Sequence, residues 1–598
     1  MHRSRSPSRG PHHTPRPPKS LSYGDGRAFT RRSADDLETD DRTDHPMSDG
    51  LPTAAASASG PSSPAAAPAA SSPLPPSRLM AVIDVGTSSI RMAIAETRPD
   101  GSVKMLESLS QGVRLGRDTF TKGEISKGTI EDCVRVLRSY RHKLDEYQIQ
   151  RHDQIRVVAT SAVREATNQL AFADRIYIAT GWNVEVLDES EVQRITYSSV
   201  RPWMQAQKAL TDEGLIIAEV GGGSTDLLVV ESGNIAYSHS YRLGSLRLRQ
   251  QLNTLRAPQT KYREIMEGEI LRQLETMPDH LPQGHQMQMV ALGGDMRFLA
   301  RELHDDDLDS DSLASITVSE LSEFVDSFIK LTEDAVIRRY KLSFAEAETA
   351  GPAMLVYLEL ARLLNVEQIY VTDANLRDGI LREIAAGGRW TDEFRAQVIR
   401  SALELGRKYN FDEDHARQVA ELSRQLFDLL RAEHGLDPRF QILLYLAALL
   451  HEIGGFVSNN SLHKHSMYLI MNSELFGLSA HDETLVALVA RYHRRASPKP
   501  LHPVFNVLDR DNRVAVAKMA ALLRIAIALD ASRSGRVTEI NVSRHRNALV
   551  IVAPHLDDLS VEQLAIKQAR TMFEEVFGMS VMVRTAARSD HRTESAQL

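Results

Sequence analysis

Two stretches of this chain each end an apolar run on a carboxylate and then turn sharply. One reads Ala81-Val-Ile-Asp84-Val-Gly86-Thr87-Ser88-Ser89, the other Ile217-Ala-Glu219-Val-Gly221-Gly222-Gly223-Ser224-Thr225-Asp226. Apolar residues resume at Ile90 to Ala95 and at Leu227 to Val230, so each stretch predicts strand, tight turn, strand. Glycine lets a backbone come close to a ligand and take up turn geometry, and such a turn wraps phosphate oxygens with N–H groups and hydroxyls. The donors expected are the hydroxyls of Thr87, Ser88, Ser89, Ser224 and Thr225 and the backbones of Gly86, Gly221, Gly222 and Gly223. Asp84 and Glu219 stand directly before the turns. Two carboxylates facing one cleft offer the hard oxygen ligands that Mg²⁺ takes, with water and phosphate completing its shell. A duplicated phosphate clamp around one cleft is the expectation.

A second constellation lies further along: His415, His451-Glu452, His463, His465, His493 and Asp530. Interleaved with it are the cations Lys464, Arg491, Arg494, Arg495 and Lys499. Imidazoles and carboxylates can hold a metal, and a short basic run can hold a polyanion through its phosphates, weakening as salt rises. The alternative for the histidines is satisfied burial, and for the cations a solvated face.

These groups need elements to position them. The chain has 598 residues, enough for about three to five domains. Its 71 Lys and Arg against 79 Asp and Glu give a net charge of −8, so no global basic field points to nucleic acid. The single cysteine, Cys133, excludes a disulfide framework and thiolate metal clusters and reads as a core thiol on a helix from Thr129 to Tyr147. No run approaches the ~18 apolar residues of a membrane span, and no secretory h-region follows the N-terminal arginines. A cytoplasmic protein is expected. Residues 1–78 are rich in Pro, Ser, Ala, Arg and Asp and predict a disordered tail. From Leu79 strands alternate with amphipathic helices, with strands expected at Ile155 to Thr160, Asn183 to Leu187 and Gln288 to Leu292. This predicts two similar α/β units, 79–205 and 206–388, each opened by one of the turns. Residues 389–533 read as an all-helical module and 534–598 as a small α+β domain.

From Leu79 onward the chain resembles the exopolyphosphatase/guanosine pentaphosphate phosphohydrolase (Ppx/GppA) family. The matching stretches begin with Ile83 to Ser89, Val113-Arg114-Leu115-Gly116, Ala159 to Ala166 and Gly221 to Asp226. They continue with Leu243 to Leu248, Leu292-Gly293-Gly294 and Asn375 to Ile380. The resemblance implies the duplicated actin/Hsp70/sugar-kinase ATPase fold, followed by a helical domain similar to HD-domain phosphohydrolases. It implies hydrolysis of the terminal phosphoanhydride of inorganic polyphosphate or of guanosine pentaphosphate, in a chain expected to be a homodimer. By that analogy Asp84 and Glu219 hold the metal and order the attacking water, while Arg114 and Arg164 bind phosphate.

Four departures stand out. The family usually has Asp where Glu219 stands and Glu where Asp226 stands. Its proposed base lies in a Gly-x-Glu-Glu-Ala-Arg pattern that here reads Glu189-Ser190-Glu191-Val192-Gln193-Arg194. With the arginines aligned, the base becomes Val192, which accepts no proton, so Glu191 or Glu189 is expected to take the role. In the helical module the doublet is His-Glu rather than His-Asp. The resulting expectation is a Mg²⁺-dependent phosphohydrolase with a polyanion groove at Lys464, His465, Arg491, Arg494 and Arg495. The alternatives are a non-catalytic polyphosphate or guanosine tetraphosphate sensor that has lost its base, and HD-type hydrolysis at a second metal site formed by His415, His451, Glu452 and Asp530.

Overall fold

Three sheets organise the chain. The first joins β1 (Arg78–Val85), β2 (Ser89–Thr97), β3 (Val103–Gly112), β4 (Ile155–Ala159) and β5 (Val184–Val186) in the order β3-β2-β1-β4-β5. β1, β2 and β3 form an antiparallel meander, and β4 and β5 continue parallel to β1. The second sheet contains β6 (Leu215–Val220), β7 (Thr225–Glu231), β8 (Asn234–Tyr241), β9 (Gln288–Leu292), β10 (Ala314–Thr317) and β11 (Gln368–Val371), in the order β10-β11-β9-β6-β7-β8. Read from β8 inward, it repeats the first sheet: an antiparallel meander β6-β7-β8, then β9 and β11 parallel to β6, with β10 added on the edge. The repeat is exact in register where the site forms. Val85 pairs with Ile90 across the first turn, and Val220 pairs with Thr225 across the second.

In this computed structural model the residues described are 77–98, 102–206, 214–275, 287–304, 314–385, 390–473, 475–554 and 558–585, with Met277 and Leu556. They belong to one compact unit. The expected tail lies outside them but for Ser77 and Arg78.

β1 and β6 are central strands with both faces covered, which is why they read as unbroken apolar runs rather than as alternation. The helix Lys127–Glu146 covers one face of the first sheet with Val134, Leu137 and Tyr140, and the Tyr140 hydroxyl donates to the Ile90 carbonyl at 2.8 Å. Cys133 lies on this helix, fully buried, and burial pushes its thiol up to about 12. The helix Leu376–Ala385, contributed after β11, returns to pack on the helix Glu189–Ala206 at Gly379. A β-carbon there would lie 2.7 Å from Ile195 Cγ2. The second half of the chain thereby closes over the first.

Beyond this lies a helical module, whose helices include Asp392–Lys408, Glu413–Leu429, Phe440–Leu450, Leu462–Met471, Ala480–Arg491 and Arg510–Leu529. The last sheet, β12 (Asn541–His545), β13 (Ala548–Ala553) and β14 (Ser580–Thr585), carries the helix Ser560–Phe577. One hydrophobic core runs from Val398 through Leu446 and Leu522 to Leu549, Phe573 and Val583. The terminal sheet therefore shares the core of the helical module, where the sequence suggested a domain of its own. The module docks on both α/β halves. Gln397 accepts from the Ile235 N–H at 3.2 Å and donates to the Gly233 carbonyl at 2.9 Å, and Asp188 accepts from the Ala480 N–H at 2.8 Å.

Candidate active site

The two glycine turns are built alike. In the first, the Gly86 N–H donates to the Ser89 carbonyl at 3.0 Å; in the second, the Gly221 N–H donates to the Ser224 carbonyl at 2.8 Å. Each turn is then held by the start of the helix that follows its meander. Gly116, in the helix Leu115–Lys122, donates to the Thr87 carbonyl at 2.9 Å. Leu246, in the helix Ser245–Leu255, donates to the Gly222 carbonyl at 3.0 Å. The amides of Gly86 and Gly221 are thus used inside the turns. The N–H groups of Thr87, Ser88, Gly222, Gly223 and Ser224 make no hydrogen bond among the described residues, and they are the donors left for an anion.

The turns meet across the two halves. A β-carbon on Gly222 would lie 2.7 Å from Thr87 Cγ2, and one on Gly223 would lie 2.6 Å from Ser161 Oγ. No side chain fits at either position without moving the opposite loop. The Thr87 and Ser161 hydroxyls are 3.3 Å apart. Arg247 fastens the same seam: its Nε donates to the Gly223 carbonyl at 3.0 Å, an Nη reaches Glu165 at 2.6 Å, and its guanidinium lies 4.2 Å from the Phe120 ring centre. Thr225 does not serve as expected. It is fully buried and its hydroxyl donates to the Leu243 carbonyl, so it fastens the second turn to the chain after β8.

Four carboxylates gather at the carboxyl ends of the central strands. Asp84, 7% exposed, ends β1 with its Oδ2 at 3.5 Å from Arg377, while its Oδ1 is buried with no hydrogen-bond partner. Burial raises its pKa, against the pull of Arg377 and Arg91. Glu219 accepts from the Thr196 hydroxyl at 3.3 Å and is likewise pushed up, by burial and by Asp84 against Arg297. Asp226, opposite Glu219 in the β6–β7 ladder, is raised to about 7 by burial and by Glu219, and its Oδ1 also lacks a partner. Asp295, just past β9, is raised to about 6 by burial. Arg91, Arg297 and Arg377 reach Asp84, Glu219 and Asp295 with their charge, and Arg164 reaches Asp226. Buried carboxylate oxygens without donors are costly unless a cation or a proton satisfies them; Asp84 Oδ1 and Asp226 Oδ1 are such oxygens, and the pair Asp84 and Glu219 fits a hard divalent ion.

Of the arginines expected to bind phosphate, Arg114 is exposed at the start of the helix Leu115–Lys122 and makes no ion pair among the described residues. Arg164 donates to the Leu187 carbonyl at 2.9 Å, lies 3.4 Å from Glu189, and its charge reaches Asp226. Glu189 is exposed, and its charge also reaches Asp226. Glu191 is not free. Its carboxylate accepts from the Asp188 N–H at 3.0 Å while its own N–H donates to Asp188 at 2.9 Å, a reciprocal cap on the helix Glu189–Ala206. The charges acting on it are Asp188, Arg194 and Glu185, and no cleft carboxylate is among them. Val192 packs against Val82, Leu187, Ile195 and Ile380. Arg91, Arg297, Arg377 and Asp295 escaped the sequence reading, although Arg377 lies inside a stretch singled out there and Asp295 follows another.

In the helical module the histidines do converge. The His415 Nδ1 lies 2.7 Å from Asp530, and the His415 and His451 rings are 5.6 Å apart. His493 is 5.1 Å beyond His451. Burial pushes His451 down to about 4 and His493 down as well. Asp530 stands behind His415, its other oxygen accepting from the Gly535 N–H at 3.0 Å, and Arg533 holds both oxygens of Glu452 at 2.7 and 2.6 Å. The basic groups form one patch: Arg494, Lys464, Arg491 and His465 all act on the half-buried His463, and Arg491, Lys499 and Lys464 on His502. Arg495 is exposed beside them.

A duplicated meander-plus-parallel sheet with a glycine turn from each half closing on carboxylates is the arrangement of the actin-like ATPase fold. The sequence model of the Ppx/GppA phosphatase family matches residues 81–386, and that of Ppx/GppA phosphatase domain III matches residues 399–586. The chain belongs to this family and is a hydrolase of phosphoanhydride bonds. A guanosine-5′-triphosphate,3′-diphosphate pyrophosphatase of Photobacterium profundum is 24% identical over 484 residues, covering 80% of this chain and 92% of that protein. Its namesake from Aeromonas hydrophila is 23% identical over 483 residues, covering 80% and 93%. Among solved structures, an exopolyphosphatase from Cytophaga hutchinsonii is 19% identical, covers 52% of this chain and 98% of its own, and superposes with a TM-score of 0.46. The Aquifex aeolicus family member is 20% identical, covering 53% and 100%, with a TM-score of 0.44. Among the described residues no helix is long and apolar enough to cross a membrane.

Proposed function

We propose that this chain releases orthophosphate from the end of inorganic polyphosphate and accepts guanosine pentaphosphate at the same cleft. One observation carries the reading: five N–H groups without a partner among the described residues, on two opposed turns, border Asp84 and Asp226, whose buried Oδ1 atoms lack donors. Asp84 and Glu219 would hold Mg²⁺, which when bound would neutralise phosphoryl charge and make an attacking water more acidic. The residues of the chain supply the rest. The amides of Thr87, Ser88, Gly222, Gly223 and Ser224, with the hydroxyls of Thr87, Ser88, Ser89 and Ser224, grip phosphoryl oxygens. Arg114 and Arg164 bind the neighbouring phosphate units.

For the proton acceptor we assign Asp226 rather than Glu191, because Glu191 is engaged in the helix cap. Burial raises Asp226 to about 7, and a base works best with an acid constant near the working pH. Glu189, exposed and paired with Arg164, also reaches that carboxyl with its charge. The patch of Lys464, His465, Arg491, Arg494 and Arg495 gives a long anion a further hold, which favours polyphosphate over a nucleotide. The reading also keeps the chain in the cytoplasm and, carried over from the family resemblance, as a homodimer; sedimentation velocity tests the second.

The deciding experiment measures orthophosphate release by the full chain with Mg²⁺ from long-chain polyphosphate and from guanosine pentaphosphate. Release from polyphosphate that falls at least a hundredfold in Glu219→Gln and in Asp226→Asn is the expected result. No release from either substrate, or release unchanged in Glu219→Gln, would refute the assignment.

A further inference from the structure

A cavity of about 340 Å³ lies in the second half of the chain, and none of its lining residues belongs to the phosphate turns or to the cleft carboxylates. Its size is that of a small-molecule site, for which about 300–1,000 Å³ is usual. The helices Ser245–Leu255, Tyr262–Leu274, Glu333–Tyr340 and Phe344–Leu363 wall it. Part of the lining is apolar and buried: Leu252, Met266, Phe328 and Val336. Gly351 leaves room there, since a β-carbon on it would lie 3.4 Å from Phe328 Cδ1. Other lining groups are charged. Arg249 pairs with Glu333 through one Nη, and its guanidinium lies 5.0 Å from the Tyr262 ring centre. The Arg249 Nε is buried and has no hydrogen-bond partner among the described residues. A backbone acceptor is also left over. Pro352 stands inside the helix Phe344–Leu363 and has no N–H, so the Glu348 carbonyl, four residues earlier, loses its helical donor. Both residues line the cavity.

We propose that this cavity binds one apolar α-amino acid, of the size of leucine, methionine or phenylalanine. The ligand's carboxylate accepts from the Arg249 Nε–H. Its ammonium donates to Glu333 and to the Glu348 carbonyl. Its side chain rests on Leu252, Met266, Phe328 and Val336, where loss of apolar surface from water drives the contact. The Arg249–Glu333 pair thus meets a ligand ion pair of reversed sign, and the Arg249 Nε and the Glu348 carbonyl gain the partners whose lack is costly in a buried place. The lining disfavours other classes. Glu333 and Asp334 outnumber Arg249, so a phosphate or another multivalent anion is repelled. The Glu348 carboxylate is already taken by Arg117 at 3.0 Å, which leaves the carbonyl of that residue for the ligand. A plain amine leaves the Arg249 Nε–H unsatisfied, and a fatty acid sets its carboxylate against Glu333 and Asp334.

Full-length protein is titrated by calorimetry with L-leucine, L-methionine and L-phenylalanine up to about 10 mM, with no phosphate substrate present. The expected result is one equivalent of at least one of the three. The amide of that amino acid, which lacks the carboxylate, and its deaminated acid, which lacks the ammonium, should each bind at least tenfold more weakly, because a site built for both groups rejects an analogue missing either. Arg249→Met should remove binding. Pro352→Ala, which returns an N–H to the helix and a donor to the Glu348 carbonyl, should weaken it at least threefold. The melting temperature of each ligand-free variant reports whether it still folds, and an alanine in place of a proline inside a helix is compatible with the fold. No binding of any of the three amino acids overturns the proposal, as does equal binding of the amide or undiminished binding in either variant. The measurement involves no turnover, so its outcome is independent of the phosphate-release reading.

Discussion

Asp226→Asn tests the electrostatics of the cleft without touching its shape. The Asp226 carboxyl is buried, has an Oδ1 without a partner, and is raised from 3.8 to about 7 by burial and by Glu219. An acid whose folded constant is raised favours its protonated form in the native state. Its penalty is therefore absent below the unfolded constant, grows as pH rises through the interval, and is complete above about 7. A shift of about three units corresponds to about 4 kcal/mol at full ionisation, as an upper limit. Asparagine is isosteric and never ionises. In metal-free buffer the variant should therefore be more stable than the wild type by about 2 kcal/mol near pH 5 and by about 4 kcal/mol above pH 7. For one compact unit spanning Pro73 to Leu598 that amounts to roughly 4 °C in melting temperature at the higher pH and roughly half that at the lower. Thermal melts with EDTA at both pH values measure it, and added Mg²⁺ should narrow the gap by stabilising the wild type, since an ion bound only to the native state adds stability. The same substitution should abolish turnover. A gain that is equal at both pH values, or no gain at all, would refute the argument that Asp226 is ionised against its surroundings.

Other substitutions probe the remaining elements. Gly222→Ala puts a β-carbon 2.7 Å from Thr87 Cγ2, so orthophosphate release should fall at least tenfold; Thr87→Ser, which removes that methyl, should restore part of it in the double variant. Glu191→Ala should lower stability by about 1 kcal/mol in a urea melt through loss of the cap, with turnover within about threefold of the wild type. A large loss of turnover there would return Glu191 to the proton-accepting role. Arg494→Ala should raise the KM for long polyphosphate and reduce the slope of log KM against log salt by about one, with kcat unchanged; an unchanged slope would place the bound chain elsewhere.

The sequence revealed the turns because their chemistry is local. Glycines and hydroxyls after a buried carboxylate are contiguous, and Asp84 and Glu219 could be paired before any fold was known. The groups that tune those carboxylates were hidden because they arrive from other strands. Arg91 sits opposite Asp84 in the β1–β2 register, Asp295 follows β9, and Arg377 comes from the helix Leu376–Ala385 after β11. Only the pairing of strands brings them to one place. Glu191 shows the opposite case. Asp188-Glu189-Ser190-Glu191 carries an N-cap acid with a glutamate three residues on, a helix-start signal visible in the sequence, yet alignment to a family motif drew the glutamate toward catalysis. The helical histidines were legible as a cluster, but not the standing of Asp530 behind His415 or of Arg533 on Glu452.

The duplication itself explains why the cleft has a direction. Turn for turn the halves agree, with Asp84 matched by Glu219 and Gly86 by Gly221. The symmetry breaks one pair beyond the turn: the residue opposite Asp84 is Arg91, and the one opposite Glu219 is Asp226. A symmetric clamp would grip a phosphate equally from both sides. Here the first half sets a cation beside its carboxylate, and the second sets a further carboxylate that burial holds near neutrality. Charge on a phosphoryl group is thus drawn toward the Arg91 side while a proton can be accepted on the Asp226 side. That division of labour is what hydrolysis needs and what simple binding does not, so the asymmetry of this one pair favours an enzyme over a sensor built on the same two turns.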